Sequence, residues 1–209
     1  MHANGKLEER RPTLTELVRA YLGKSLDPIA IFLNRLGLAP NTVTLIGLAG
    51  NLVGALSLAR GEFLIGGLLV LAMGPVDALD GTMARLRGER SDFGAFVDSV
   101  TDRYSELLIF AGLIAYYLQM GEAAMAGAVF AAWGGSVLVS YVKARGEALG
   151  FEVRGGILTR MERFLVLGPS LVFGYPSVGI LGVAVFANIT AIQRIYLVRR
   201  QARRRVEGT

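Results

Sequence analysis

Four aspartates lie close together in the chain, inside two segments that are otherwise apolar. Asp77 and Asp80 are three residues apart and Asp98 and Asp102 are four apart, so on helices each pair occupies one face. The segment 87–91 between the pairs is polar and contains a glycine, as expected of a tight turn between two helices. If the chain reverses there, Asp80 faces Asp98 and Asp77 faces Asp102. The four carboxylates then converge on one volume.

The chemistry of four neighbouring carboxylates indicates a site for hard metal ions. An unpaired charge in the hydrocarbon of a bilayer costs at least ~2.5 kcal/mol, so these side chains need a compensating partner. All-oxygen sites select ions such as Mg²⁺ or Mn²⁺, and two such ions would balance the four negative charges. Because a two-metal site stabilises both the attacking and the leaving oxygen, the pattern favours phosphoryl transfer. The alternative is a buried salt-bridge cluster with Arg85 and Arg103, which would leave two negative charges unbalanced.

Small residues and one arginine accompany the aspartates. Gly81 and Ala84 follow Asp80 on its helix and Gly94 lies on the facing one, so a flat ring or a phosphate can approach the backbone closely. Arg85 lies near the end of its segment, where a guanidinium can hold a phosphate through two hydrogen bonds. The predicted site therefore extends from the metal ligands to a phosphate-bearing ligand.

The composition predicts that these elements belong to a helical membrane protein. Of 209 residues, 53% are hydrophobic and 27 are glycine, a usage typical of packed membrane helices. Several apolar stretches approach the ~20 residues that a spanning helix needs. They cover residues 41–59, 62–84, 92–118, 123–145, 160–175 and 177–198. The predicted fold class is an all-α integral membrane protein with six transmembrane helices and an N-terminal amphipathic helix.

Lysine and arginine are concentrated on one side of the predicted bundle, and this sets its orientation. They occur before the first span, in the second and fourth connections and at the C-terminus, whereas the short connections on the opposite side contain only Arg60. By the positive-inside rule, we expect a cell-membrane protein whose termini and aspartate-bearing end face the cytoplasm. The excess of basic residues, 22 against 17 acidic ones, is explained by this topology and by anionic membrane lipid. No nucleic-acid partner is inferred.

The N-terminal region predicts a helix that lies on the membrane surface. It is charged throughout, which excludes a signal peptide. Its apolar residues fall on one helical face, and they are Leu14, Leu17, Val18, Tyr21 and Leu22. The alternative is a helix packed on a soluble partner. A second short segment, from Ile29 to Leu36, is expected to follow the Asp27-Pro28 step.

Three regions follow from these patterns, and one class of chemistry is excluded. The regions are an interfacial segment (1–39), a six-helix membrane domain (40–200) and a basic cytoplasmic tail (201–209). The chain has no cysteine, and its one histidine is His2. Catalysis by a serine-histidine or cysteine-histidine pair is therefore excluded, which leaves carboxylates, cations and backbone groups.

The aspartate segment resembles the signature of a known family. The pattern D-x2-D-G-x2-A-R-x8-G-x3-D-x3-D is complete from Asp77 to Asp102 and is similar to that of the CDP-alcohol phosphotransferases, membrane enzymes of phospholipid synthesis. The resemblance implies a six-helix bundle, usually a homodimer, with a cytosol-facing cavity for two Mg²⁺ or Mn²⁺ ions. It implies CDP-diacylglycerol as a substrate and CMP as a product. The implied roles are metal binding by Asp77, Asp80, Asp98 and Asp102, general-base catalysis by Asp102, and CDP binding by Gly81, Ala84 and Arg85, with Gly94 facing them.

Five cations near the cytoplasmic ends of the later spans are candidates for binding a second substrate. They are Lys143, Arg145, Arg160, Arg163 and Arg194. The alternative is that they follow the positive-inside rule and bind lipid phosphates. Arg194 fits that alternative less well because its neighbours are apolar.

A narrower resemblance concerns the same cations. Segments 140–147 and 155–163 are similar to the phosphatidylinositol-phosphate synthases of actinobacteria and archaea, in which cations receive the phosphate of inositol phosphate. The chain departs from them at 159–163, where those enzymes commonly have Glu before the first Arg and Pro after it. The resemblance implies inositol phosphate as the acceptor, and the alternative is glycerol phosphate or another polar alcohol. A remote alternative is a cation transporter whose aspartates line an ion path.

Overall fold

The computed structural model describes residues 14–89, 91–153 and 155–207, and every regular element within these ranges is a helix. The helices are α1 (Leu14–Arg35), α2 (Pro40–Ala59), α3 (Phe63–Arg87), α4 (Asp92–Gln119), α5 (Ala123–Ala148), α6 (Arg160–Val172) and α7 (Pro176–Glu207). Each of the six predicted apolar stretches coincides with one of the helices α2 to α7.

The reversal predicted between the two aspartate pairs is present. Gly88 follows α3 with a φ of 70°, a left-handed conformation that glycine adopts without strain. The hydroxyl of Ser91 then accepts a hydrogen bond from the backbone N–H of Gly94 at 3.0 Å and caps α4. The chain therefore turns between the pairs, as the polar segment 87–91 predicted.

The N-terminal region differs from the prediction at Pro28. The expected break is absent, because α1 is continuous from Leu14 to Arg35 with Pro28 inside it. A proline removes one helical hydrogen bond, and here the helix is held on both sides of it. Leu26 and Ala30 are buried against residues of α2 and α3, and Asp27 pairs with Arg85. The side chains of the predicted apolar face, residues 14–22, lie outside those that the structure describes.

Within the part of the chain that the structure describes, four helices are long and apolar enough to cross a membrane, namely α2, α3, α5 and α7. The α4 helix has 28 residues, but its first half contains several charges. The α6 helix has 13 residues and, at about 1.5 Å per residue, is shorter than a hydrocarbon core of about 30 Å. Large apolar side chains point outward from the four long helices, as membrane helices require, including Leu45, Leu64, Phe130 and Val185. The fold is that of a helical membrane protein, and six spans remain a prediction.

The α2 helix separates the two helices that carry the aspartates. It packs along both α3 and α4, whereas α3 and α4 meet each other over only a short stretch. Small residues make this possible, since a Cβ added at Gly112 of α4 would lie 2.3 Å from the carbonyl oxygen of Ala55 in α2. The α6 helix packs against α3 and α7 on the other side. The aspartates therefore lie between helices that diverge, with α6 opposite α2.

Candidate active site

The four aspartates form an electrostatic cluster at one end of the bundle. Asp80 and Asp102 are buried, Asp77 is half-buried and Asp98 is exposed. The charge of Asp98 acts on each of the other three carboxylates, and the charges of Asp77 and Asp102 act on each other. The structure thus brings together the four residues that the sequence analysis selected.

The α2 helix supports two of these carboxylates through residues that the sequence analysis did not select. The hydroxyl of Thr44 donates a hydrogen bond to Oδ2 of Asp80, whose Oδ1 accepts one from the N–H of Gly81 at 2.5 Å. One turn further along α2, Gly47 faces Asp77. A Cβ added at Gly47 would lie 2.5 Å from Oδ1 of Asp77, so a larger residue here would displace this carboxylate from its position. The small and polar face of α2 within an apolar span was the signal available in the sequence.

The counter-charge of the cluster comes from α6. Nη2 of Arg160 lies 3.2 Å from Oδ2 of Asp77 and 2.5 Å from Oδ1 of Asp102, and it joins α3 to α4. Arg103 is more distant, with Nη1 4.0 Å from Oδ2 of Asp102. Arg85 pairs with Asp27 of α1. The alternative cluster with Arg85 and Arg103 is therefore wrong for Arg85, and the main cation is one that the sequence analysis assigned to the acceptor.

The aspartates suit a divalent cation by donor type and by charge. Within the described ranges, no group of three or more acidic or histidine side chains could hold a common ion as it stands. The guanidinium of Arg160 occupies the space between Asp77 and Asp102. Against four carboxylates, Arg160 and Arg103 supply two positive charges, and buried charge that is not balanced is costly. Oxygen donors with surplus negative charge are what Mg²⁺ and Mn²⁺ prefer.

The residues predicted to bind CDP lie beside the cluster, and one of them has an open face. Gly81 is exposed, and a Cβ added there would meet nothing within 4 Å. Ala84 is half-buried, while the side chain of Arg85 is 43% exposed and therefore accessible to a ligand. A Cβ at Gly94 would lie 3.2 Å from Oγ of Ser91, so the helix cap accounts for part of the need for glycine there.

A cavity of about 50 Å³ extends from Asp77 into the protein between α3, α4 and α6. Its polar lining consists of Asn51, Asp77, Ser105, Glu106, Arg160 and Arg163. Arg163 is only 4% exposed, and its Nη2 donates to Oε1 of Glu106 at 2.6 Å. Among the described residues, Nε of Arg163, Oε2 of Glu106 and Oγ of Ser105 have no hydrogen-bond partner. The cavity therefore offers unused donors and acceptors next to the aspartates.

Glu106 is a third residue, after Thr44 and Gly47, that was not predicted from the sequence. It lies four residues after Asp102 on α4, and Arg163 lies three residues after Arg160 on α6. The two helices are thus joined by two ion pairs, one turn apart. The spacing from Asp102 was a signal that the sequence contained.

The five candidate acceptor cations do not form one cluster. Arg160 and Arg163 reach the cavity. Arg194 is buried, but its Nε donates to the carbonyl of Gly155 at 3.0 Å and its Nη1 to that of Val139 at 2.7 Å. Two of its donors are therefore engaged by the backbone, which speaks against the predicted phosphate contact.

The remaining two candidates, Lys143 and Arg145, are exposed near the end of α5. Nζ of Lys143 lies 3.9 Å from Oε1 of Glu147 in an ion pair one helical turn along. Neither residue lines the cavity. At these two positions the structure is consistent with the alternative of positive-inside charges.

The chain is similar to known proteins in sequence and in fold. The chain is 39% identical to a phosphatidylinositol phosphate synthase of Streptomyces avermitilis over 90% of its own length and 84% of that protein. It is similar to the crystal structure of a Mycobacterium tuberculosis phosphatidylinositol phosphate synthase with CDP-DAG bound, with a TM-score of 0.78, 34% identity and coverage of 83% and 92% of the two chains. The structure of that enzyme with manganese and citrate matches with a TM-score of 0.77, 33% identity and coverage of 83% and 88%.

The signature therefore predicted the family correctly. The family model for CDP-alcohol phosphatidyltransferases matches residues 37–195, which include the four aspartates, Arg160, Arg163 and Glu106. With this match and with the identity to the Streptomyces enzyme, the chain belongs to the CDP-alcohol phosphatidyltransferase family.

Proposed function

We propose that this CDP-alcohol phosphatidyltransferase transfers the phosphatidyl group of CDP-diacylglycerol to inositol phosphate and releases CMP. The observation that carries the proposal is the pair Arg160 and Arg163, which brings two guanidinium groups to one cavity beside the aspartates. A phosphorylated alcohol needs cations next to the reacting centre, whereas a neutral alcohol does not. The similar enzymes from Streptomyces and Mycobacterium bear the name of this reaction.

Each part of the site has a role in this reaction. Arg160 and Arg163 bind the phosphate of the acceptor, and Asp102, whose Oδ1 lies 2.5 Å from Nη2 of Arg160, receives the acceptor's hydroxyl. Asp102 accepts the hydroxyl proton as that oxygen attacks the phosphorus that bears the lipid. Gly81 and Ala84 allow the CDP part to lie against α3, where Arg85 donates hydrogen bonds to its phosphates. The bond to CMP then breaks, and CMP leaves.

The proposed cofactors are two divalent cations held by Asp77, Asp80, Asp98 and Asp102. When bound, they supply positive charge that stabilises the attacking and leaving oxygens of phosphoryl transfer. The surplus of carboxylates over guanidinium groups supports this assignment.

The proposed setting is a homodimer in the cell membrane, with six spans, cytoplasmic termini and the active site facing the cytoplasm. In this arrangement α4 is a further span and α6, which has only 13 residues, is the shortest of the six, with the charged ends of both helices in the polar site. The membrane domain covers residues 40–200. Residues 201–207, three of which are arginine, continue α7 as a helix. In the proposed orientation this end of α7 lies in the cytoplasm.

The proposal is tested with purified protein, CDP-diacylglycerol and Mg²⁺, by measuring CMP release with inositol phosphate, glycerol phosphate, free inositol and serine. We expect inositol phosphate to be the best acceptor. Arg160→Gln should raise KM for it by roughly tenfold or more, because a charge-assisted hydrogen bond contributes about 1.5–3 kcal/mol. Arg199→Gln, at an exposed arginine of α7, is the control.

Two results would change the proposal in different ways. Glycerol phosphate as the best acceptor, still sensitive to Arg160→Gln, would replace inositol phosphate and keep the phosphate site. A neutral alcohol as the best acceptor, insensitive to Arg160→Gln, would reject the phosphate site.

A further inference from the structure

The last turns of α7 hold the connection between α5 and α6, and they lie beyond the segment that the family model matches. That match ends at residue 195, whereas α7 continues to Glu207. The connection, residues 149–159, leads directly to Arg160, the first residue of α6. Whatever holds the connection therefore acts on the start of the helix that carries Arg160 and Arg163.

Gln201 binds the connection in the manner of a neighbouring β-strand. Its Oε1 accepts a hydrogen bond from the N–H of Glu152 at 3.0 Å, and its Nε2 donates to the carbonyl of Glu152 at 2.7 Å. A primary amide is the one side-chain group that both donates and accepts in this geometry. Glutamate has the same shape but lacks the donor. The contact is thus specific for the residue type found here.

Arg205 makes the second contact, one turn further along α7. Its guanidinium donates to the carbonyls of Leu149 and Gly150, and it lies 4.1 Å from the ring centroid of Phe151. Gly150 has a φ of 75°, so its left-handed turn presents these carbonyls to α7. We call Gln201 and Arg205, with the backbone of residues 149–152, the C-terminal clamp.

Earlier turns of α7 hold the second half of the same connection. Oγ1 of Thr190 accepts a hydrogen bond from the N–H of Leu158 at 3.0 Å, and Arg194 donates to the carbonyl of Gly155. A Cβ added at Gly156 would lie 2.4 Å from Cγ2 of Thr190, which shows how closely the connection follows α7. The connection is therefore fixed along one face of this helix at residues 149–152 and again at residues 155–158.

We propose that the C-terminal clamp positions Arg160 and Arg163 for the acceptor, so that Gln201 and Arg205 are positioning residues of the acceptor site. The inference rests on the proposed function, in which these two arginines bind the acceptor's phosphate. Without the clamp, the connection and the first turn of α6 sample more conformations, and the acceptor must restore the bound one. The CDP site on α3 is not attached to this connection, so the affinity for CDP-diacylglycerol stays the same.

The test compares Gln201→Glu and Arg205→Ala with wild type and with Arg203→Ala, in the full-length protein. Arg203 is an exposed arginine on the same turns of α7, so its variant removes the same charge and leaves the clamp intact. Hydrogen exchange of residues 149–158 reports on the clamp itself, because the N–H of Glu152 is one of its donors. CMP release reports on KM for each substrate.

We expect faster exchange in this segment and an acceptor KM raised by about three- to tenfold in the two clamp variants, the range that one net hydrogen bond produces. The kcat at saturating acceptor and KM for CDP-diacylglycerol should stay within about twofold of wild type. Three results would overturn the proposal: unchanged exchange, faster exchange with an unchanged acceptor KM, or an equal effect of Arg203→Ala, which would indicate general binding of anionic lipid.

The kinetics are measured with whichever acceptor of the panel gives the most CMP. A wild-type protein that prefers a neutral alcohol refutes the proposed function. It also refutes the clamp's role in binding an acceptor phosphate, and the exchange data then show only whether the clamp orders residues 149–152. A wild-type protein that uses a phosphorylated acceptor, with clamp variants that keep its KM, refutes the clamp's role and leaves the proposed function standing.

Discussion

The substitution Glu106→Gln should destabilise the protein strongly, because it leaves Arg163 buried without its counter-charge. The side chains of the two residues are 14% and 4% exposed, and Oε1 and Nη2 are 2.6 Å apart. Removing one partner of a buried ion pair costs about 3–5 kcal/mol. The glutamine oxygen still accepts a hydrogen bond, so we expect the lower end of this range. For a chain of this length, about 3 kcal/mol corresponds to a fall in Tm of roughly 6–12 °C.

A matched control and a double variant separate the charge from the packing. Glu89→Gln removes a carboxylate that is 62% exposed and 3.9 Å from Arg87, so its effect should stay below about 1 kcal/mol. Glu106→Leu combined with Arg163→Met replaces both partners of the buried pair by apolar groups, which is often neutral. We expect this double variant to recover most of the lost Tm. The KM of the double variant for the acceptor should nevertheless be higher than that of wild type, because the guanidinium of Arg163 is absent.

The assays are thermal unfolding in detergent, followed by the fluorescence of Trp133, and CMP release. A Tm for Glu106→Gln within about 2 °C of the control would refute the assignment of a buried, uncompensated charge. A double variant as unstable as Glu106→Gln would show that packing, rather than charge, accounts for the loss. A double variant with the wild-type acceptor KM would remove Arg163 from the acceptor site.

Three further predictions concern the reaction centre, and each is measured by CMP release. Asp102→Asn should lower kcat by at least ~100-fold through loss of the general base, with a smaller effect on KM for CDP-diacylglycerol, and a kcat within a few-fold of wild type would assign the base elsewhere. EDTA should abolish activity and Asp98→Asn should give a folded, inactive protein, whereas turnover after complete chelation would contradict metal dependence. Gly47→Ala should reduce kcat because its Cβ would lie 2.5 Å from Oδ1 of Asp77, and Gly127→Ala, where a Cβ meets nothing within 4 Å, should not.

The aspartate cluster could be predicted because its geometry is local. Two pairs at helical spacing and a polar turn midway between them determine which carboxylates face each other. In the structure, however, α3 and α4 do not pack along each other as a tight helical hairpin would. They diverge, and α2 lies between them. Thr44 and Gly47, which contact Asp80 and Asp77, come from that intervening helix. Its packing depends on contacts across the bundle, and the periodicity of one segment does not reveal them.

The number of membrane spans was harder to predict than the helices themselves. Apolar runs identified α2 to α7 closely, since each run ends at a glycine, a proline or a charged turn. Length and composition then support only four of these helices as spans. The two others, α4 and α6, are the helices that carry Asp102, Glu106, Arg160 and Arg163. The polar groups that make a site also lower the apolar signal of the helices that carry it.

For the arginines at the basic end of the bundle, the sequence left open acceptor binding and the positive-inside rule, and the structure gives these arginines different kinds of partner. The positive-inside rule explains why they lie on that side, since it depends only on the membrane. The rule does not identify the partner of an arginine. For Arg160 one partner is Asp77, which lies 83 residues earlier in the sequence. Arg160 binds carboxylates, whereas Arg194 and Arg205 donate to backbone carbonyls. A guanidinium that donates to backbone carbonyls fixes the backbone geometry. A guanidinium that pairs with a carboxylate at the cavity can still bind a substrate anion, if that anion takes the place of the carboxylate. Net charge near a site therefore overestimates the number of phosphate ligands, and the acceptor site depends on arginines whose present partner is itself an anion.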